Sequence, residues 1–472
     1  MFPNTTYSQA STSSRPFLGF VPSQNATVLS LLVVYLTIVL IGSSVNFKDG
    51  DESGYVAYAM RIAHISSPTQ DLRQWWGTQD TRYWWGPGYP LVLAPFALFG
   101  WPWLAAKLLN AFFLAAALAY IGAVVKRYSR GAVWLAVTLF LGLYPPLLRE
   151  LPSLGLESLM ALLVCGFMFH FCALFQETRR FRLHLFGASM YLAYLALTKI
   201  FFGYVIAAIL VCLLVWQLWG WKHPVRTVLA VFLLALLWCA PYLLYMYSVT
   251  GKVFYWGTSV GSTLYWISTP YAGEYGSWYS SNQVRDRPEL APHREFFASL
   301  EGLSDVGRDD AFRKQANRNI ANHPKVYARN WAANVGRLLF SYPYSFATQS
   351  LTPYFYLVPN MFIVVLFVVS LIPAVLRPHA IPFELWFLLA FALIAFGGST
   401  LVSDFDRQFS PLIEILCVWM AFVFVRVLRI ELCNLPRAGH AALSPKTILS
   451  RFEFPSPTGG PLQRATESLS VL

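Results

Sequence analysis

Apolar residues along this chain gather into runs about as long as a bilayer is thick, separated by short basic turns and two long polar stretches. Spanning a hydrocarbon core takes roughly 20 apolar residues as a helix, and the runs 28–45, 103–125 and 225–247 come close to or exceed that. Read the same way, the pattern predicts helices at 28–46, 103–125, 131–148, 157–176, 184–198, 200–219, 225–247, 356–376, 383–402 and 410–430, about ten spans in all. The run 89–99 is apolar but about half the needed length, which predicts a short helix entering the membrane surface. In the loop before it, Tyr55, Tyr58, Ala59 and Ile62 share one helical face, as in an amphipathic helix lying along the membrane.

Composition agrees with the pattern. The chain is 56% hydrophobic, 17% aromatic and 12% charged, far from the balance of a soluble domain. This predicts an all-α integral membrane protein. A formal charge of +12 could suggest nucleic acid, but the basic residues are scattered through turns rather than gathered into a stripe, so no nucleic-acid partner is expected. Membrane topology accounts for them instead. Lys126, Arg127 and Arg130, then Arg179, Arg180 and Arg182, then Lys222 and Arg226, then Arg377, then Arg426 and Arg429 fall on alternate turns, which places those turns in the cytoplasm. The active face is then periplasmic or lumenal, and the expected home is a bacterial inner membrane. Six cysteines, none in CxxC spacing, read as small buried hydrophobes.

The expected organisation is a polar cytoplasmic tail (1–27), an amino-terminal transmembrane module (28–248) that includes the outer loop 47–90, an outer cap (249–355), carboxy-terminal transmembrane helices (356–430) and a disordered cytoplasmic tail (431–472). Apolar residues after Leu432 lack periodicity, hence the last assignment. Within the cap, Phe312, Ala316 and Ile320 recur every four residues, and Pro324 can open a second helix with Tyr327, Trp331 and Leu338 on one side. Packing of this stripe against the membrane domain is the plain expectation.

Candidate chemistry collects on the face opposite the basic turns. Lys48-Asp49-Gly50-Asp51-Glu52-Ser53-Gly54-Tyr55 sets three carboxylates just outside the first helix. Like charges this close raise one another's pKa and can leave one poised as a base, but a solvated loop with an Asp capping the next helix fits equally well. Both Asp49-x-Asp51 and Asp404-x-Asp406 spell DxD, a pattern too short to be specific. Further on, Arg82-Tyr83-Trp84-Trp85-Gly86-Pro87-Gly88-Tyr89-Pro90 mixes interfacial aromatics with Gly and Pro that fix a backbone path a mere anchor does not need. Lys199 interrupts an apolar helical hairpin, and Arg407 stands at the mouth of the last span; charges at such depth mark function by default. The alternatives are snorkelling for Lys199 and pairing with Asp404 or Asp406 for Arg407. Eight dispersed histidines offer no metal-ligand spacing, so no metal or other cofactor is assigned and a divalent cation has no support from spacing.

Several of these features resemble one known family. An acidic pair with Tyr55 three residues later, Gly86-Pro87-Gly88-Tyr89-Pro90 entering a short apolar helix, Gly100 and the span 105–125 are together similar to the membrane glycosyltransferases of the C fold. The likeness is to the branch of the dolichyl-phosphate-mannose protein mannosyltransferases and the lipid A aminoarabinose transferase. It runs from Val28 to Trp219 in motif order and thereafter covers Asn322-His323-Pro324-x-x-Tyr327 and Arg407. The resemblance implies transfer of a sugar from a polyprenyl-phosphate carrier to a lipid, glycan or protein acceptor on the outer face. It also implies an acidic residue of the first loop at the reaction centre, matched by Asp51 beside Glu52, and an acidic residue opening the fourth span, matched by Glu157. Lys199 and Arg407 correspond to phosphate-binding cations. The aminoarabinose transferases carry Lys-Pro-Pro where this chain reads Trp85-Gly86-Pro87; that Lys is absent, and Arg82 is the substitute one turn earlier.

The expectation is therefore a glycosyltransferase with Asp51, Glu52 and Glu157 as catalytic carboxylates and Lys199, Arg407 and Arg82 on the donor phosphate. Asp49 becomes the base if the motif register shifts. The rival is a transporter or lipid-linked-sugar flippase, since intramembrane Lys, Glu and Arg also mark substrate pathways. The inverted repeats common in transporters are not evident in the sequence.

Overall fold

Long apolar helices dominate the computed structural model of the chain, which describes residues 22–43, 51–63, 83–129, 131–177, 179–217, 223–343, 354–403 and 405–428. The first, α1 (Gln24–Gly42), starts four residues before the apolar run because the Ser23 hydroxyl accepts the Ala26 N–H and caps it. It buries only the stripe Thr27, Leu31, Tyr35 and Val39. Then follow α2 (Asp51–Ile62) and α3 (Gly88–Phe99), packed on each other. Gly100 closes α3 at φ 64°, a left-handed conformation that suits a residue without Cβ. Next come α4 (Trp103–Tyr128), α5 (Val133–Gly142), α6 (Pro145–Glu150), α7 (Glu157–Gln176), α8 (Phe181–Thr198), α9 (Phe201–Gln217) and α10 (His223–Thr250).

Among the described residues seven helices are long and apolar enough to cross a bilayer: α1, α4, α7, α10 and the three after the cap, α16 (Tyr354–Leu376), α17 (Phe383–Thr400) and the last, which runs on from Ser410 to Val427. The protein is an integral membrane protein. Three expected spans are shorter or more polar. The run 131–148 breaks into α5 and α6 because Pro145 and Pro146 supply no N–H donors and the residue before a proline avoids the α region. Helix α8 has span length but carries Arg182 and His184 in its first turns, and α9 has 17 residues.

At the centre stand α7 and the last helix, α18 (Ser410–Phe422), buried on nearly all sides against α4, α8 and α17. By contrast α16 exposes Val358, Met361, Phe362, Val365, Val368 and Ile372, each more than half. So continuous an apolar face is stable only against lipid. One end of the bundle is basic: Arg127 pairs with Glu177 (2.6 Å), Lys126 stacks on Trp134, and Arg426 donates to the Tyr128 carbonyl.

Between α10 and α16 the chain folds outside the bundle as α11 (Ser259–Ile267), α12 (Ser281–Asp286), α13 (Arg294–Ala298), α14 (Asp305–Asn322) and α15 (Pro324–Phe340). Tyr265, Trp266, Tyr279, Val284, Leu290, Leu300, Phe312 and Ala316 form a core of its own. The expected stripe therefore divides. Phe312 and Ala316 pack inside this unit, while Trp331 donates to Thr400 Oγ1 (3.0 Å) and Tyr327 to the Leu401 carbonyl (3.2 Å) at the end of α17.

Candidate active site

The end of the bundle opposite the basic turns carries a cluster of charges built from four separate segments. Asp51 is the first residue of α2, where the helix N-terminus favours a carboxylate. Its Oδ2 is gripped by the Arg407 guanidinium, and its Oδ1 accepts the indole N–H of Trp85 at 3.3 Å. Glu157, first residue of α7, lies 3.8 Å from the same Arg407 through Oε1. Side-chain exposure rises from Glu157 (3%) through Asp51 (24%) to Arg407 (36%), so the cluster runs from the buried bundle out to its rim.

Local sequence explains how these groups reach one another. A Cβ at position 54 would overlap the six-membered ring of Trp85, at position 86 the Leu197 carbonyl, and at position 88 Thr198; each glycine lets two segments touch. Tyr194 donates to the Gly88 carbonyl (2.9 Å), and Thr258 N donates to the Tyr83 carbonyl (2.9 Å). The Gly-Pro path is thus wedged between the end of α8 and the outer unit. Trp84 meets Trp278 edge to face, so these aromatics bind protein rather than lipid alone. Tyr55 leans on Trp85 (5.6 Å between centroids) and stands edge-on to Tyr89 (5.3 Å).

Glu52 is buried and accepts the Leu154 N–H at 2.7 Å, fastening the turn before α7 to α2. Asn110 donates to the Ser153 carbonyl (2.7 Å) and shapes the same turn from α4. Lys199 follows α8 directly, and its charge acts on Glu157 together with those of Arg407 and Glu150. Arg407 itself sits in a short 3-10 turn, Asp406–Gln408, packed against α15 of the outer unit. Burial works against its charge, but Asp51 and Glu157 outweigh that and hold its pKa well above the ordinary value. Tyr55 is pushed the same way, first by burial and then by Asp51, so it remains a neutral phenol.

The structure therefore brings Asp51, Glu157 and Arg407 into one contact network, sets Lys199 within electrostatic reach and holds Glu52 beside it. Arg82, Asp49 and Asp404 lie outside the described residues. Arg407 pairs with Asp51 and Glu157; the alternative pairing with Asp404 or Asp406 falls on side chains outside the described residues. Arg149 donates to the Tyr356 hydroxyl (3.0 Å). Among the described residues no three His, Cys, Asp or Glu side chains gather as a metal site. The sequence reading passed over two polar groups, Asn110 and the buried Lys107, both on α4. The signal for Lys107 was a charge inside an apolar run.

No family model and no curated protein matches this chain. Solved structures that overlap it include an oligosaccharyltransferase and two states of ArnT. The archaeal oligosaccharyltransferase AglB from Archaeoglobus fulgidus, in complex with an inhibitory peptide and a dolichol-phosphate, overlaps 85% of this chain at 13% identity and a TM-score of 0.45, and the chain spans half (50%) of that protein's length. ArnT from Cupriavidus metallidurans in the apo state overlaps 85% of this chain and 78% of its own at 14% identity and a TM-score of 0.33. ArnT bound to undecaprenyl phosphate overlaps 86% and 79% at 12% identity and a TM-score of 0.34. At these identities and scores the chemistry has to be read from this chain's own residues.

Proposed function

We propose that this protein transfers a sugar from a polyprenyl-phosphate carrier to an acceptor hydroxyl on the non-cytoplasmic face of the membrane. The observation that supports it is a single guanidinium bridging Asp51 and Glu157 at the rim of a membrane bundle, beneath a folded outer unit and within reach of the Lys199 charge. Such a cluster holds what the reaction needs: a carboxylate to take a proton and mobile cations to take a phosphate.

In this reading the acceptor oxygen attacks the anomeric carbon while its proton passes to Asp51. The bond from that carbon to the phosphate oxygen breaks, and its electron pair leaves with the carrier phosphate, which Arg407 and Lys199 hold. A single displacement inverts the anomeric configuration. Because a cation-bound phosphate is already a competent leaving group, the protein contributes position and electrostatics rather than a covalent intermediate. Glu157 orients the acceptor or tunes Asp51, and the outer unit covers the site and selects the acceptor. The carrier class comes from the sequence resemblance.

Transfer from a panel of labelled undecaprenyl-phosphate sugars in liposomes tests this. Asp51→Asn is expected to reduce turnover by about 100- to 10,000-fold, the usual contribution of a general base. Unchanged turnover removes Asp51 from that role. Movement of the carrier across the vesicle with no glycosylated product replaces the transferase by a flippase.

A further inference from the structure

The two oxygens of Asp51 have partners of opposite character. On Oδ1 the donor is Trp85, an indole 8% exposed, seated over Gly54 and flanked by Tyr55. Its backbone is wedged at Gly86 and Gly88 against the end of α8. That donor has nowhere to go. On Oδ2 the donor is Arg407, a long side chain from a three-residue turn, more than a third exposed and shared with Glu157. An arginine so placed can turn toward a new anion, and a phosphate offers it bidentate hydrogen bonds and more charge than one carboxylate.

Resting on the transferase reading above, we infer that Arg407 blocks Asp51 Oδ2 until the donor phosphate draws it away, and that Trp85 is the positioning residue that keeps Asp51 aimed afterwards. With its cation gone, Oδ2 becomes the oxygen that takes the acceptor proton, while Oδ1 stays on the indole. The base is thus uncovered by the same event that secures the leaving group, and donor binds before acceptor chemistry can start.

Two measurements on the full chain in nanodiscs or liposomes test this exchange. The first uses undecaprenyl phosphate alone as the probe. If the phosphate has to win Arg407 from Asp51, then Asp51→Asn removes that competition and tightens binding by on the order of tenfold. Equal or weaker binding by Asp51→Asn overturns the exchange. The second uses Trp85→Phe, which keeps an aromatic ring above Gly54 but lacks the N–H. Turnover is expected to fall about 10-fold or more, since the lost hydrogen bond is to a charged group. KM for the donor stays within about twofold, because the phosphate-binding cations are untouched.

A merely structural Trp85 damages KM and turnover together, and that result overturns its positioning role. Wild-type protein that transfers none of the labelled sugars sinks the transferase reading itself. Wild-type transfer matched by Trp85→Phe in rate sinks the positioning role of Trp85 and leaves the transferase reading standing.

Discussion

Arg337 and Arg407 sit in neighbouring parts of the molecule and are held in opposite ways. Arg337, on α15, is 1% exposed and donates to several neutral oxygens: the carbonyls of Tyr275 (3.3 Å), Gly276 (3.1 Å) and Pro343 (3.4 Å), Ser277 Oγ (3.2 Å) and Asn334 Oδ1 (2.8 Å). Asn334 in turn donates to the carbonyls of Thr400 and Val402, so this seam joins the outer unit to the end of α17. Arg407 is partly exposed, at 36% of its side chain, and faces carboxylates. A guanidinium surrounded by backbone carbonyls is a fixed strut, because losing it strands several buried acceptors at once. One that faces carboxylates at a rim is exchangeable, because another anion can replace them. The seam is built to stay and the site to change partners.

Three substitutions probe that contrast. Arg337→Leu is expected to have the largest effect: several carbonyls lose their donor at about 1–3 kcal/mol each, for a total of about 3–5 kcal/mol. Thermal unfolding in detergent reads it directly, with limited proteolysis cutting the outer unit first. A midpoint unchanged from wild type would erase the distinction between strut and exchangeable contact.

Arg407→Gln should behave the other way round. Transfer falls about 100- to 1,000-fold, as when a charge-stabilising donor is removed from a reaction centre, while the unfolding midpoint drops much less than in Arg337→Leu. A loss of stability as large as that of Arg337→Leu would make Arg407 a strut as well.

The smallest effect belongs to Glu414 on α18, whose two carboxyl oxygens are buried without a hydrogen bond. Glu384 differs, since Tyr128 donates to it at 2.9 Å. An ionisable group with neither strut nor exchange partner costs stability, so Glu414→Leu is expected to be neutral or stabilising by about 1–2 kcal/mol. A marked loss of transfer in that variant would show that Glu414 serves the site.

Much of the architecture was legible because partitioning into lipid is decided locally. A run of about 20 apolar residues is a span whatever its neighbours do, so 103–125 and 356–376 were found close to their observed limits. Failure came where a local signal met a local exception the hydropathy pattern does not weigh, as at Pro145-Pro146, which divides an expected span in two. The short helix at 89–99 was found because its length alone rules out crossing.

The site divides along the same line. By itself the sequence determined which ionisable residues stand at helix ends on one face, because an unpaired charge is confined to such places. It could not determine who pairs with whom. Asp51 and Arg407 lie 356 positions apart, and only the packing of α2, α7 and the last helix makes them neighbours. Nor could it say that Gly54 is a glycine because Trp85 lies over it, or that the Trp85 N–H holds one oxygen of Asp51 while Arg407 holds the other. Hydropathy is a property of each segment with its solvent, whereas a hydrogen bond belongs to two segments at once and exists only after the fold has brought them together.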